Sequence, residues 1–279
     1  HCGMPVDPGN LLLVGNFDGM AVIGLPGCAR SPKFNGIDLV LRRLAADLPV
    51  TSEDIMALGV GGLLKEIADR PSPRSAAKET LPSAPRIAGL ILAAGQSRRM
   101  GSVNKLLAEV DGEPMVRRAA AIVTASQAAP VITVTGHESE KVAEALKDFD
   151  LTLVHNPAYA DGISGSLQRG LAAMPTDIDG VVVCLGDMPR VSEHVIDKLV
   201  AAFSPTEQRE ICVPTWQGKR GNPVLLGRRF FSEINDISGD VGARGLLGAY
   251  PELICEVEME NDSILLDIDT PEALEKANA

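Results

Sequence analysis

Aromatic side chains are scarce in this chain: one Trp, two Tyr and six Phe, 3% of 279 residues. Proteins that grip single-stranded nucleic acid by stacking need more of them. The core must therefore come from Leu, Val, Ile and Ala, as in α/β proteins. Positive charge is also in deficit, with a formal charge of −11. Residues 1–85 hold 8 Lys+Arg against 9 Asp+Glu and residues 86–279 hold 18 against 28, so the two parts carry about −1 and about −10. Such a chain is a poor general binder of nucleic acid or of an anionic membrane, and a polyphosphate ligand would need a local basic patch. The five cysteines include no C-x-x-C pair, and the four histidines are scattered, so zinc and iron–sulfur spacings are absent. Cys184, Cys212 and Cys255 lie in apolar, strand-like runs and are expected to be buried, reduced thiols. No apolar run reaches the roughly 18 residues of a membrane span, and no signal peptide is evident, so the cytoplasm is the expected compartment. The chain starts mid-pattern with His1, which reads as an N-terminal truncation. Neither a Ser–His–Asp nor a Cys–His arrangement stands out.

What the sequence does have is one organising stretch, IAGLILAAGQSRRMGSVNKLL, from Ile87 to Leu107. The run Ile87–Leu92 has the composition of a buried parallel strand. It empties into Ala93-Ala94-Gly95, and Arg98, Arg99 and Lys105 follow within eight residues. Small residues let backbone N–H groups approach oxygens, while Arg and Lys supply opposite charge, so a phosphate site is one reading. A tight turn with a solvated basic face is the other. The spacing is neither G-x-x-x-x-G-K-[ST], because Leu106 follows Lys105, nor G-x-G-x-x-G.

Around this stretch the chain alternates. Apolar runs at Pro130–Thr135, Leu151–His155, Val181–Leu185, Glu210–Pro214 and Val224–Leu226 read as strands. Helical spacing covers Pro114–Ser126, Ser139–Leu146, a segment starting near Ser164, Val191–Phe203 and Val241–Ala249. This rhythm predicts an α/β fold with a doubly wound, mostly parallel sheet over residues 86–279. Residues 71–85, rich in proline and small polar residues, read as a linker. Residues 1–70 form a small partial α/β domain, with strands at Leu11–Val14 and Ala21–Leu25 and helices at Ile37–Leu48 and Ser52–Ile67, the latter capped by Thr51 or Ser52.

Several positions carry a chemical and a plain structural reading side by side. Ser164 and Ser166 sit at a helix start, as caps or as an anion site. Asp187 follows a buried strand, as a turn residue or as a ligand for a hard divalent cation. Asp267 and Asp269 are two apart and so share one side of a strand. They begin D-x-D-T-P-E, and D-x-D alone would also fit a glycosyltransferase metal site. Lys219 and Arg220, before Gly221-Asn222-Pro223, meet phosphate or solvent. Asp240 caps a helix or serves a ligand.

Leu92 to Gly101 resembles, without a gap, the signature L-A-A-G-x-S-x-R-M-G-x-x-K of the nucleotidyltransferase family that includes the molybdenum cofactor cytidylyl- and guanylyltransferases. Lys105 falls one residue late. Gly162–Leu167 resembles the family's ligand-facing turn, and Leu185–Pro189 its L-x-D-M-P motif, which carries the magnesium aspartate. Gly221–Pro223 resembles a substrate loop, Gly239–Arg244 its G-D-x-G-A-R turn, and Asp267–Glu272 its final metal motif. The resemblance implies a nucleotide site of Leu92, Ala93, Ala94, Gly95, Ser97, Arg98, Arg99, Gly101 and Lys105. It implies a substrate site of Ser164, Ser166, Asn222, Asp240 and Arg244, and Mg²⁺ held by Asp187 and, in preference to Asp267, Asp269. Lys105, Arg98 and Asp187 would be catalytic. The reaction implied is transfer of CMP from CTP to the terminal phosphate of molybdopterin, with pyrophosphate released and a molybdoenzyme receiving the product. Ala94, where the guanylyl branch has glycine, points to CTP rather than GTP. Pro8-Gly9-Asn10, Gly24–Gly27 and Ser31–Gly36 resemble the closing part of a molybdopterin-binding domain. Other readings are a CTP-dependent enzyme activating a different phosphorylated small molecule, a silent pterin-binding chaperone, or a metal-dependent glycosyltransferase.

Overall fold

The structure is a computed structural model that describes residues 13–17, 20–25, 36–57, 84–97, 104–235 and 244–278. It divides into two compact units, 1–84 and 85–279. In the first, β1 (Leu13–Phe17) and β2 (Met20–Gly24) form an antiparallel hairpin in register from Leu13↔Gly24 to Phe17↔Met20. Helix α1 (Gly36–Ala45) presents Ile37 and Val40 to a small core with Val14 and Ile55, the latter from α2 (Ser52–Ala57). Thr51 caps α2 reciprocally: its Oγ1 accepts from the Asp54 N–H at 3.1 Å, and Asp54 Oδ2 accepts from the Thr51 N–H at 2.8 Å. The expected continuation of this helix to Ile67, and the expected linker up to residue 83, lie outside the described residues.

The second unit is built on β3 (Ile87–Ala93), all seven of whose residues are buried. In chain order follow the short hairpin β4 (Glu109–Val110) and β5 (Glu113–Pro114), α3 (Met115–Ala125), β6 (Val131–Thr135), α4 (Ser139–Leu146) and β7 (Thr152–His155). Next come α5 (Ile163–Ala172), β8 (Gly180–Leu185), α6 (Glu193–Ala202), β9 (Ile211–Trp216), β10 (Lys219–Arg220) and β11 (Val224–Gly227). The chain ends with α7 (Phe231–Asn235), α8 (Arg244–Ala249), β12 (Ile254–Glu258) and α9 (Pro271–Ala277). The strand order is β10-β9-β11-β8-β3-β6-β7, with β12 paired to β9. Neighbours β8-β3, β3-β6, β6-β7 and β12-β9 run parallel, while β11 and β10 run antiparallel to their partners. This is the doubly wound, mostly parallel α/β sheet that the alternation predicts.

The winding fixes where a ligand can sit. From β3 the chain moves one way, through β6 to β7, and then returns to place β8 on the other side of β3. The carboxyl ends of β3 and β8 therefore flank the point where the order reverses, which is where open α/β sheets leave a crevice. The Gly186 N–H donates to the Leu92 carbonyl at 3.1 Å, so the two ends leave the sheet side by side.

Both faces of β3 are covered closely. A Cβ on Gly89 would meet Val123 Cγ1 of α3 at 2.5 Å, and one on Gly170 of α5 would meet Leu90 Cδ1 at 2.4 Å. Successive residues of one strand thus receive helices on opposite sides. The main core joins Leu90, Leu92, Ile132 and Val134 to Leu167 and Leu171 of α5. Among the described residues, no helix is long and apolar enough to cross a membrane.

One expected element takes another form. Ile264–Asp269 is not a strand. Asp262–Leu265 is a 3₁₀ turn, and residues 266–269 belong to no helix or ladder. The segment is held by single backbone bonds instead: the Asn222 N–H donates to the Ile264 carbonyl at 2.9 Å, and the Ile268 N–H donates to the Asp187 carbonyl at 3.1 Å. Asp267 and Asp269 consequently do not share a strand face. Asp267 lines a separate surface hollow with Arg190 and Lys276, whereas Asp269 reaches Lys105.

Val123 is stiff and buried, so it cannot make room at Gly89. Gly89→Ala is expected to cost about 1–3 kcal/mol, read as a lower urea midpoint. Adding Val123→Ala should recover part of that loss beyond additivity, and a strictly additive pair would show that the two residues do not meet.

Candidate active site

Both sides of the loop after β3 are anchored. Ser97 is buried, with φ of +55°, and its hydroxyl accepts from the Lys105 N–H at 2.9 Å. The same hydroxyl donates to Asn104 Oδ1 at 3.4 Å. Asn104, also buried, caps the 3₁₀ turn Lys105–Leu107 by accepting from the Leu106 N–H at 3.1 Å. Ser97 and Asn104 are therefore clasped to one another, and the clasp aims Lys105. Asn104 plays a part the motif did not reveal. The signal was available: an Asn directly before a lysine-led turn is a natural cap.

The Lys105 ammonium lies between two carboxylates. It donates to Asp187 Oδ2, and to Asp269 Oδ1 at 2.6 Å. Burial, the largest single influence, pushes its pKa down. The charges and hydrogen bonds of Asp187 and Asp269 together outweigh burial and hold the pKa above the ordinary lysine value. Lys105 is a fixed cation throughout the neutral range. Asp187 stands just past β8, with its backbone pinned by Ile268. Asp269 is placed by the same contact and by the turn that follows, where Thr270 caps α9 by accepting from the Ala273 N–H at 3.2 Å and Pro271 opens the helix. The second oxygen of Asp187, Oδ1, is buried and has no hydrogen-bond partner among the described residues. Such an atom costs stability unless a ligand satisfies it.

These groups border a crevice of about 360 Å³. Leu92, Ala94, Gly95 and Ser97 contribute part of its lining, and Tyr159, Gly162, Ile163 and Ser166 another part; Lys105 and Asp187 complete it. Gly136 sits between the first two groups, since a Cβ there would meet the Ala94 carbonyl at 2.8 Å and Tyr159 Cβ at 2.5 Å. Other sequence-predicted residues stand elsewhere. Ala93 is fully buried behind the loop, and Ser164 is buried beside the crevice lining rather than in it. Asn222 gives its backbone N–H to Ile264 and does not line the crevice. Arg98, Arg99, Gly101 and Asp240 lie outside the described residues, as does the side chain of Arg244, the first residue of α8.

Among the described residues, no Cys or His lines the crevice. Burial pushes the Cys184 thiol up to about 12 and the Cys212 thiol well above its ordinary value, so neither is poised as a nucleophile. The arrangement can bind and orient a polyanion and stabilise charge on it.

Residues 89–253 match the MobA-like NTP transferase domain. The nicotine blue oxidoreductase of Paenarthrobacter nicotinovorans is 26% identical over 195 residues, 68% of this chain and 95% of that protein. The molybdenum cofactor cytidylyltransferase of Escherichia coli K12 is 29% identical over 187 residues, 66% of this chain and 91% of that protein. A nucleotidyl transferase from Methanothermobacter superimposes with a TM-score of 0.62 at 21% identity, covering 69% of this chain and 96% of its own, which shows the shared fold. The match spans more than half of the chain, from inside β3 to the start of β12, and the chain belongs to the MobA-like NTP transferase family.

Proposed function

We propose that the protein transfers a cytidylyl group from CTP to the terminal phosphate of molybdopterin, releasing pyrophosphate. The observation that carries this reading is the meeting of Lys105, Asp187 and Asp269 beside the Ala94–Ser97 loop, in the crevice at the sheet's reversal point. The choice of pterin phosphate over another phosphorylated acceptor rests on the resemblance of the motifs and on the name of the Escherichia coli relative.

A divalent cation fits the residues present. Asp187 Oδ1 is a buried oxygen without a partner, and Asp269 converges on the same cationic position. Among the described residues, no group of three or more His, Cys, Asp or Glu is placed to hold a metal by itself. Two carboxylates completed by substrate phosphates are a usual provision for Mg²⁺. When bound, the ion supplies charge neutralisation at the phosphates. Lys105 neutralises charge that builds on the α-phosphate and on the departing pyrophosphate, and Arg98 would assist. The Ala94–Ser97 loop places the triphosphate. The acceptor phosphate is already anionic near neutral pH, so positioning and electrostatics suffice without a general base. The Ala94 methyl, at the crevice wall, would crowd a purine and leave room for a pyrimidine.

The same reading makes residues 1–70 akin to part of a molybdopterin-binding domain. Its motif residues fall largely outside the described positions, so the resemblance alone supports it. The enzyme would work in the cytoplasm on small molecules and hand its product to a molybdoenzyme.

Two outcomes are expected. Incubation with magnesium, labelled CTP and molybdopterin releases pyrophosphate, and GTP is used less well; equal or better use of GTP would overturn the choice of base. Lys105→Ala lowers kcat/KM by about 100-fold or more if the ammonium stabilises developing charge, and a near-normal rate would remove it from the mechanism.

A further inference from the structure

Asn156 is a polar side chain with no solvent exposure, placed between β7 and α5. Its backbone N–H donates to the Thr135 carbonyl at 2.8 Å, which extends the β6–β7 pairing by one residue. Its side chain makes two bonds. The oxygen accepts from the Ala158 N–H at 3.1 Å, closing an Asx-type turn, and the amide nitrogen lies 3.0 Å from Ser166 Oγ.

The first bond fixes the chemistry of the second. A backbone N–H can only donate, so the atom facing Ala158 must be the amide oxygen. The NH₂ group must then face Ser166, and it must donate. Ser166 Oγ is thereby an acceptor toward the protein. A hydroxyl has a single proton, and with Asn156 occupying a lone pair that proton is directed elsewhere. Among the described residues Ser166 makes no other side-chain hydrogen bond, and the residue lines the crevice. Its proton is left to a ligand.

We propose that Asn156 is a positioning residue that sets the Ser166 hydroxyl as a hydrogen-bond donor into the crevice, matched to an acceptor atom of the bound nucleotide. Asn156 does not touch the nucleotide; it decides which way Ser166 points. The assignment rests on the nucleotide-site reading above. It predicts that a ligand presenting a donor at this place is rejected, because the hydroxyl cannot turn round without leaving the buried amide unpaired.

Asn156→Asp tests this with little change of shape. At pH 8.5 the ionised carboxylate accepts from Ala158 and from the Ser166 O–H, so Ser166 turns its proton inward and offers lone pairs to the crevice. Mg–CTP binding by calorimetry, and KM and kcat, are then compared for the wild type, Asn156→Asp, Ser166→Ala and the double variant. The expected result is a loss of about tenfold in CTP affinity and a matching rise in KM for each single variant, with kcat within a few-fold. The double variant should be no worse than Ser166→Ala. CTP affinity unchanged in both Asn156→Asp and Asn156→Ala overturns the proposal; the second variant is needed because a protonated acid at this buried place would still donate to Ser166 as the amide does. Additive losses in the double variant also overturn it, since Asn156 would then act through the fold rather than through Ser166. If the buried charge prevents folding, Asn156→Ala with Ser166→Ala completes the same cycle under the same criteria. A wild type that binds neither CTP nor GTP defeats the nucleotide reading itself, which separates that failure from one confined to Asn156.

Discussion

The site depends on one ammonium held by two carboxylates. Lys105 meets Asp187, 82 residues away, and Asp269, 164 residues away, so the contact draws three distant segments to one place. Taking these groups partly out of water is costly, and removing one partner would leave charge uncompensated. The surrounding structure is arranged to keep them together. A satellite core of Ala108, Val110, Met115, Ile268 and Ala277 joins the segment after Lys105 to α9. The Asn278 side chain accepts from the Asp111 N–H at 2.9 Å and donates to the Glu109 carbonyl at 3.0 Å, tying the end of α9 to the β4–β5 hairpin. Arg190 Nη2 donates to the Ala277 carbonyl at 2.6 Å, linking the same helix to the turn that carries Asp187. The C-terminal helix is thus a strut for Asp269.

The sheet explains why that cluster lies beside the small-residue loop. Asp187 and Ala94 leave neighbouring parallel strands at the reversal point, and a single backbone bond from Gly186 to Leu92 keeps the two exits in step. Tyr159 and Ser166 arrive from the segment after β7. Gly136, at the end of β6, lets that segment come within contact of Ala94. Each part of the crevice is therefore the continuation of a strand end, and the rigid sheet sets the distances between them.

The fold was legible in the sequence because local patterns carried it. The apolar run from Ile87 and the alternation of strand and helix each show within a few residues, whereas Asp187 read equally as a turn residue or a ligand until the fold brought Lys105 against it. What was not legible depends on partners far away in the chain. The pair Asp267 and Asp269 looked like one face of a strand. Single backbone bonds to Asn222 and Asp187, neither encoded by any local pattern, replace the ladder and send the two side chains to different places. Asn104 showed only its local half, the cap, and not its bond to Ser97; Asn156 was silent. An asparagine in a loop states only that it can bond locally, and the bond that matters is fixed by what the fold brings against it.

Charge poses a last problem that the architecture answers. Among the described residues the crevice is lined by one ammonium and one carboxylate, with Asp269 bonded to that ammonium, in a protein whose net charge is −11. A triphosphate would be repelled by Asp187 and Asp269 if they faced it without a cation between. Lys105 removes part of that repulsion; Ser97 holds its backbone, and the two carboxylates hold its ammonium. In the sequence, Arg98 and Arg99 fall between Ser97 and Asn104, the two residues that bond to one another and aim Lys105. In the proposed reaction the carboxylates then have one remaining use, to hold positive charge that enters with the nucleotide. The buried, unpartnered oxygen of Asp187 is the atom left over for that purpose.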